Sequence, residues 1–229
     1  MQGKVVLVTG ADGGLGKFVT QAFLDAGATV VGTSTKIQQS AFRNDRFTAM
    51  AARISSLERA QTLVNQVMSC FGKLDVLAHT VGGFAGGSTV ADTDDATFQK
   101  MMDVNLNSVF HMVRATLPTL RSAGSGRIIA IGSRAAMEPG AGVGAYSASK
   151  AAMVSLIKTV AAENKDAGVR ANVILPGTMD TPANREAMPK VDFSKWVRPA
   201  SVASLILWLA SDAGIDVNGA VIPVYGTEG

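Results

Sequence analysis

Tyr146 and Lys150 stand four residues apart at the start of an apolar-periodic window, so a helix there puts both side chains on one face. A phenol in isolation titrates at about 10 and carries protons poorly at neutral pH. A neighbouring ammonium favours the phenolate and brings that value towards the working range. Ser133 lies thirteen residues earlier, just past the apolar run Gly126–Ile131, where a hydroxyl would polarise a carbonyl. Such a trio suits proton transfer to or from an oxygen.

A second group of residues predicts what shares the site. The run Lys4–Thr9 leads into Gly10-Ala11-Asp12-Gly13-Gly14-Leu15-Gly16, and a helical window follows. A glycine turn between strand and helix lets backbone amides approach a pyrophosphate at the positive end of the helix. Dinucleotide-binding chains usually carry an acid about twenty residues on, at the end of the second strand, for the ribose hydroxyls. Here that window is Gly32-Thr33-Ser34-Thr35-Lys36, with no acid before Asp45. Hydroxyls and a lysine without a carboxylate suit a 2′-phosphate, which predicts NADP(H) over NAD(H).

These residues need a scaffold, and the chain's periodicity describes one. Lys4–Thr9, Ala28–Thr33, Leu74–His79, Gly126–Ile131, Val169–Leu175 and Ala220–Val224 read as strands, with a weaker one near Phe47–Ala51. Helical windows fall near 14–26, 56–71, 95–122, 147–166 and 200–211. The alternation predicts βαβ units and a parallel sheet, read as a single domain over residues 1–229. Two segments interrupt it, each after a strand: the glycine cluster Gly82–Ser88, and 176–195, too polar and proline-broken for a long helix. Ligands bind beyond the carboxyl ends of strands in open α/β sheets, so both are candidate site loops.

Composition narrows the classes further. Of 229 residues, 47% are hydrophobic and 17% charged, ample for a large core and unlike a disordered chain. One cysteine excludes an internal disulfide framework and a Cys-rich zinc site, and two distant histidines leave little for a histidine-based metal centre. The net charge of +3 comes without a basic run, which argues against nucleic acid as a partner. No apolar stretch approaches membrane-spanning length or a signal-peptide core. The expected protein is cytoplasmic, with a small-molecule substrate and no metal.

Taken in order, the Thr9–Gly16 turn, Asp103-Val104-Asn105-Leu106, Ser133, Tyr146-x-x-x-Lys150 and Pro176-Gly177 resemble the successive motifs of the short-chain dehydrogenase/reductase family. The resemblance implies a Rossmann-type, doubly wound sheet of about seven parallel strands with helices on both faces. It implies that Tyr146 is the acid/base, that Lys150 binds the nicotinamide ribose and tunes Tyr146, that Ser133 orients substrate, and that Asn105 supports a proton relay. Pro176, Gly177 and Thr178 would face the nicotinamide, with Thr181 near its carboxamide. Where the family usually has Asn-Asn-Ala-Gly, this chain has His79-Thr80-Val81-Gly82. Arg53, then Ile54, stands where an adenine-contacting Asp is usual, and the segment joining the second and third strands is short enough to lose its helix. Homodimers or homotetramers packed through 95–122 and 147–166 are also implied.

A narrower likeness touches the substrate side. The cluster around Phe84, the run from Asp180 through Met188 to Trp196, and Gly226–Gly229 resemble quinonoid dihydropteridine reductases. Phe84, Phe193 and Trp196 are the candidates to wall a planar substrate. A reading of another class, a nucleotide-binding sensor or scaffold, has no need of the Asn, Ser, Tyr and Lys set. The remaining conspicuous residues read as structure: His79 as a satisfied buried histidine, Cys70 as a packed thiol and Trp208 as core. Asp92, Asp94 and Asp95 read as acids at a helix start.

Overall fold

The computed structural model describes residues 1–227. Seven strands form one all-parallel sheet in the order β3-β2-β1-β4-β5-β6-β7. They are β1 (Val5–Thr9), β2 (Thr29–Thr33), β3 (Phe47–Ala49), β4 (Val76–His79), β5 (Gly126–Ile131), β6 (Val169–Pro176) and β7 (Val221–Val224). The order reverses between β1 and β4, which opens a crevice at their carboxyl ends.

Period-two alternation decides which helices lie on which face. Val5 and Leu7 point to one side, where α2 (Leu57–Phe71), α4 (Ser108–Ser122) and α5 (Gly144–Asn164) bury Leu63, Met112, Leu120 and Ile157. Val6 and Val8 point to the other, against α1 (Gly16–Asp25) and α7 (Pro199–Ala210), with Phe23, Val202 and Ile206. The Rossmann-type architecture read from the sequence is the one found. Among the described residues no helix is long and apolar enough to cross a membrane.

Several local expectations need correction. The window 95–122 is not one helix: α3 (Asp95–Met102) gives way to a π turn at Asp103–Asn107 before α4 begins. Between β2 and β3 the expected loss of a helix holds, and only a 3₁₀ turn at Gln39–Ala41 remains. Gln39 covers the β3 edge there, donating from Nε2 to the Phe47 carbonyl (2.7 Å) and accepting from the Ala49 amide (2.9 Å). A short helix α6 (Pro182–Ala187) does form in the polar segment, since Thr181 caps it and Pro182 suits its first turn. Cys70 is exposed rather than packed. Trp208 is 43% exposed, because α7 is apolar on every side and its spacing could not reveal which face is buried.

Candidate active site

The glycine turn is built around contacts that forbid a side chain. Gly10 takes φ +70°, and a Cβ on Gly16 would lie 1.9 Å from the Gly10 carbonyl oxygen. Cβ atoms on Gly13 and Gly14 would come within 3.1 Å of that same oxygen and 3.0 Å of Thr181 Cγ2. The turn therefore presents bare backbone at the start of α1, the arrangement that a pyrophosphate needs. It opens on a cleft of about 1680 Å³ running along the carboxyl edge of the sheet.

The cleft gathers most of the residues singled out above. Gly10, Asp12, Gly13, Gly14, Leu15 and Gly16 line one end with Ser34, Thr35, Arg53 and Ile54. Val81, Gly82, Pro176, Gly177, Thr178 and Thr181 line its middle, and Ser133, Tyr146 and Lys150 the far end. Phe84 borders that far end, its ring edge-on to Tyr146 with centroids 5.0 Å apart. Four residues are not in the lining. Lys36 is exposed, one residue past Thr35 in the cleft wall. Asn105 lies buried directly behind the wall. Phe193 and Trp196 pack on each other (4.8 Å) outside the cleft, with Trp196 only 4% exposed. Both lie in the segment joining α6 to α7. Of the terminal run Gly226–Gly229, Glu228 and Gly229 lie outside the described residues.

Tyr146 and Lys150 both fall in the opening turns of α5, which starts at Gly144, earlier than its periodicity suggests. Lys150 is buried and its ammonium donates to the Ile131 carbonyl at 2.8 Å. Burial brings its pKa down from the usual lysine value to about 8. Burial pushes the Tyr146 phenol above its ordinary pKa and outweighs the Ser133 hydroxyl, which pulls it down. The expected lowering of the tyrosine by Lys150 is thus not what this geometry produces. Ser133 also accepts from the Ala135 amide at 3.2 Å, which fixes its place at the end of β5.

Asn105 acts on the backbone. Its Oδ1 accepts from the Gly83 amide (3.0 Å), and its Nδ2 donates to the Gly83 carbonyl (3.1 Å) and to Ser149 Oγ (3.0 Å). Ser149 in turn donates to the Tyr146 carbonyl at 2.7 Å. A methyl group on Gly82 would sit 3.1 Å from Lys150 Nζ and 3.2 Å from Asn105 Oδ1, so glycine keeps these two groups in reach of one space. His79, at the end of β4, is buried, and its pKa falls to about 3 through burial first and the Lys150 charge second. Its ring nitrogens face Thr9 Oγ1 (3.0 Å) and Ser108 Oγ (3.2 Å).

Residues missed from sequence also shape the mouth. Arg134 and Glu138 form an ion pair (2.6 Å) along the cleft, with the Arg134 guanidinium over the Tyr225 ring. Their spacing of four just after Ser133 was the available signal. Val143 and Met188 add apolar lining; Met188 lies in the candidate site loop 176–195, whereas nothing in the sequence setting of Val143 marked it.

What this fold and this edge define is a Rossmann-type oxidoreductase. The family model for short chain dehydrogenases matches residues 4–192, and the chain belongs to that family. A short chain dehydrogenase/reductase of Aspergillus oryzae is 31% identical, the match covering 98% of this chain and 94% of the relative. A 3-oxoacyl-(acyl-carrier-protein) reductase of Thermotoga maritima is 27% identical over 99% of this chain and 98% of its own. The solved 3-ketoacyl-(acyl-carrier-protein) reductase of Brucella melitensis, complexed with NADH, superposes with a TM-score of 0.87 at 26% identity, covering 98% of both chains. The protein is accordingly an enzyme of this family that works with a nicotinamide cofactor. The side-chain-free turn fits the pyrophosphate of such a cofactor.

Proposed function

We propose that the protein reduces a carbonyl, or a related cyclic substrate, with Tyr146 as proton donor. The observation that carries this reading is the gathering of Ser133, Tyr146 and buried Lys150 on one cleft wall. When bound, the nicotinamide supplies or accepts a hydride. The neutral phenol of Tyr146 gives its proton to the substrate oxygen, and Ser133 Oγ donates a hydrogen bond to the same atom. Lys150, buried with its ammonium beside the end of β5, would hold the nicotinamide ribose. Pro176–Thr178 and Thr181, which line the middle of the cleft, would border the nicotinamide. Loss of turnover in Tyr146→Phe, assayed by nicotinamide absorbance against a carbonyl panel, tests the assignment; near wild-type kcat sinks it.

The cofactor we infer is NADP(H) in preference to NAD(H). No carboxylate stands in Gly32–Lys36, and the cations lining the cleft near the glycine turn are Lys17 and Arg53, while Lys36 is not in the lining. The Ala52 amide donates to the Ser34 carbonyl (2.9 Å), which brings Arg53 alongside Ser34 and Thr35. Asp12 is the nearby acid, and its carboxylate accepts from Ser34 Oγ at 2.9 Å. Dissociation constants for NADPH and NADH decide the matter.

Phe84 supports a second, narrower reading. Its ring is 68% exposed yet seated against Tyr146, a platform for a flat substrate such as quinonoid dihydropterin. Including that compound in the panel separates it from open-chain carbonyls. Exposed Phe98 and Phe110, on α3 and α4, support a homodimer or homotetramer, which light scattering would measure in a protein we take to be cytoplasmic.

A further inference from the structure

We propose that His79 is a positioning residue, holding the π turn that carries Asn105 through its hydrogen bond to Ser108. The inference rests on the catalytic reading above for its effect on turnover, though not for its geometry.

The argument begins at the π turn. In a regular helix the Ser108 amide would bond the Val104 carbonyl, four residues back. Here it bonds the Asp103 carbonyl instead, one residue further. Ser108 repairs the mismatch with its side chain, donating Oγ–H to the Val104 carbonyl at 2.7 Å. That hydroxyl has one proton, so towards His79 it acts as acceptor. His79 Nε2 is therefore the protonated nitrogen, and Nδ1 accepts from the Thr9 hydroxyl. One neutral tautomer satisfies every partner.

The bond chain ties three elements at one point. Thr9 ends β1, His79 ends β4, and Ser108 opens α4 directly after the π turn. The Val104 carbonyl belongs to the peptide that leads into Asn105, and Val104 also packs against Gly83. Asn105 grips Gly83 from both sides, so the peptide that His79 steadies is the one that sets the grip. All of these groups are buried or nearly so, where an unmet polar group is costly and a slack one scarce. An asparagine at position 79 would reach Thr9 and fall short of Ser108.

Three variants separate the two hydrogen bonds. His79→Gln keeps an acceptor and a donor at nearly the spacing of the imidazole nitrogens. His79→Asn keeps only the reach to Thr9, and His79→Leu neither. The readouts are kcat, the cofactor Kd, and amide hydrogen exchange at Gly83, whose N–H Asn105 holds. We expect His79→Gln within about threefold of wild-type kcat, with His79→Asn and His79→Leu lower by roughly tenfold. Gly83 exchange should accelerate in the latter two, with cofactor Kd little changed. Asparagine matching glutamine in both readouts overturns the proposal, as does a kcat loss that merely tracks Tm across all three. So does a wild-type imidazole whose ¹⁵N shifts show the proton on Nδ1, a measurement that needs no variant to fold. Should the wild type turn over no carbonyl, the catalytic reading fails, while Gly83 exchange and the tautomer still decide the role of His79.

Discussion

The two ends of the cleft are built on different principles. At the reacting end, Lys150, Asn105, Ser149 and His79 are buried and hydrogen-bonded to neighbours from β1, β5, the π turn and α5. At the adenosine end, Thr35 and Arg53 are exposed side chains on strand-end loops, with one link, Ser34 to Asp12, between side chains. A buried polar network costs several partners when one member changes, whereas an exposed side chain changes almost alone. The chemistry of this fold is therefore stiff and its choice of nucleotide easily altered.

The comparison can be broken at several points. Removing the Tyr146 hydroxyl (Tyr146→Phe) should cut kcat by about 10²–10⁴-fold with cofactor Kd retained, measured by steady-state turnover and fluorescence titration. A variant that loses cofactor instead would mean the two ends are one unit. Trp196→Ala should cost about 3–5 kcal/mol of stability in denaturant unfolding, since it empties a buried site outside the cleft. Substrate ranking should stay as it was; altered ranking at unchanged stability would return Trp196 to the substrate wall.

A gentler test uses acid. The pKa of His79 is depressed from 6.5 to about 3 on folding, so below 6.5 the unfolded chain binds a proton that the native one refuses. Its contribution is complete above pH 6.5 and is lost as pH falls towards 3, at no more than about 1.4 kcal/mol per pH unit. The acid-side slope should flatten in His79→Gln. Smallest of all, Arg53→Ala should reduce the preference for NADPH over NADH by roughly tenfold, and Lys36→Ala should leave it within about twofold. Equal effects would place Lys36 at the phosphate after all.

The sequence made the strands, the glycine turn and the Ser–Tyr–Lys set legible, because each follows a local rule: alternation, a turn that excludes side chains, a spacing of four. Features that depend on neighbours distant in the chain stayed hidden. The π turn at Asp103–Asn107 interrupts an apolar pattern that reads as continuous helix, since Gly83 and Ser149, which hold Asn105, are brought in by the fold. Trp196 looked like a wall because an aromatic in a polar loop draws attention; its packing on Phe193 depends on how the loop folds back. Of the two cations expected at the cofactor, Arg53 lines the cleft and Lys36 does not, a difference hidden because β3, whose pairing with β2 precedes Arg53, is the weakest strand signal.

The all-parallel order of the sheet bears on how the protein comes into being. Among the described residues no strand pairs with its neighbour through a hairpin, and β1 meets β4 only when Val6 finds Val76, seventy residues away. The nucleotide cradle leans on that meeting, because Gly10 packs against Thr80 and Thr9 against His79. A ribosome that has released only β1, α1 and β2 has made the glycine turn but not its backstop. Such long-range closure folds slowly and leaves apolar strands waiting in the open. Nucleotide capture is thus a late event in the life of the nascent chain, available only once β4 has emerged and docked.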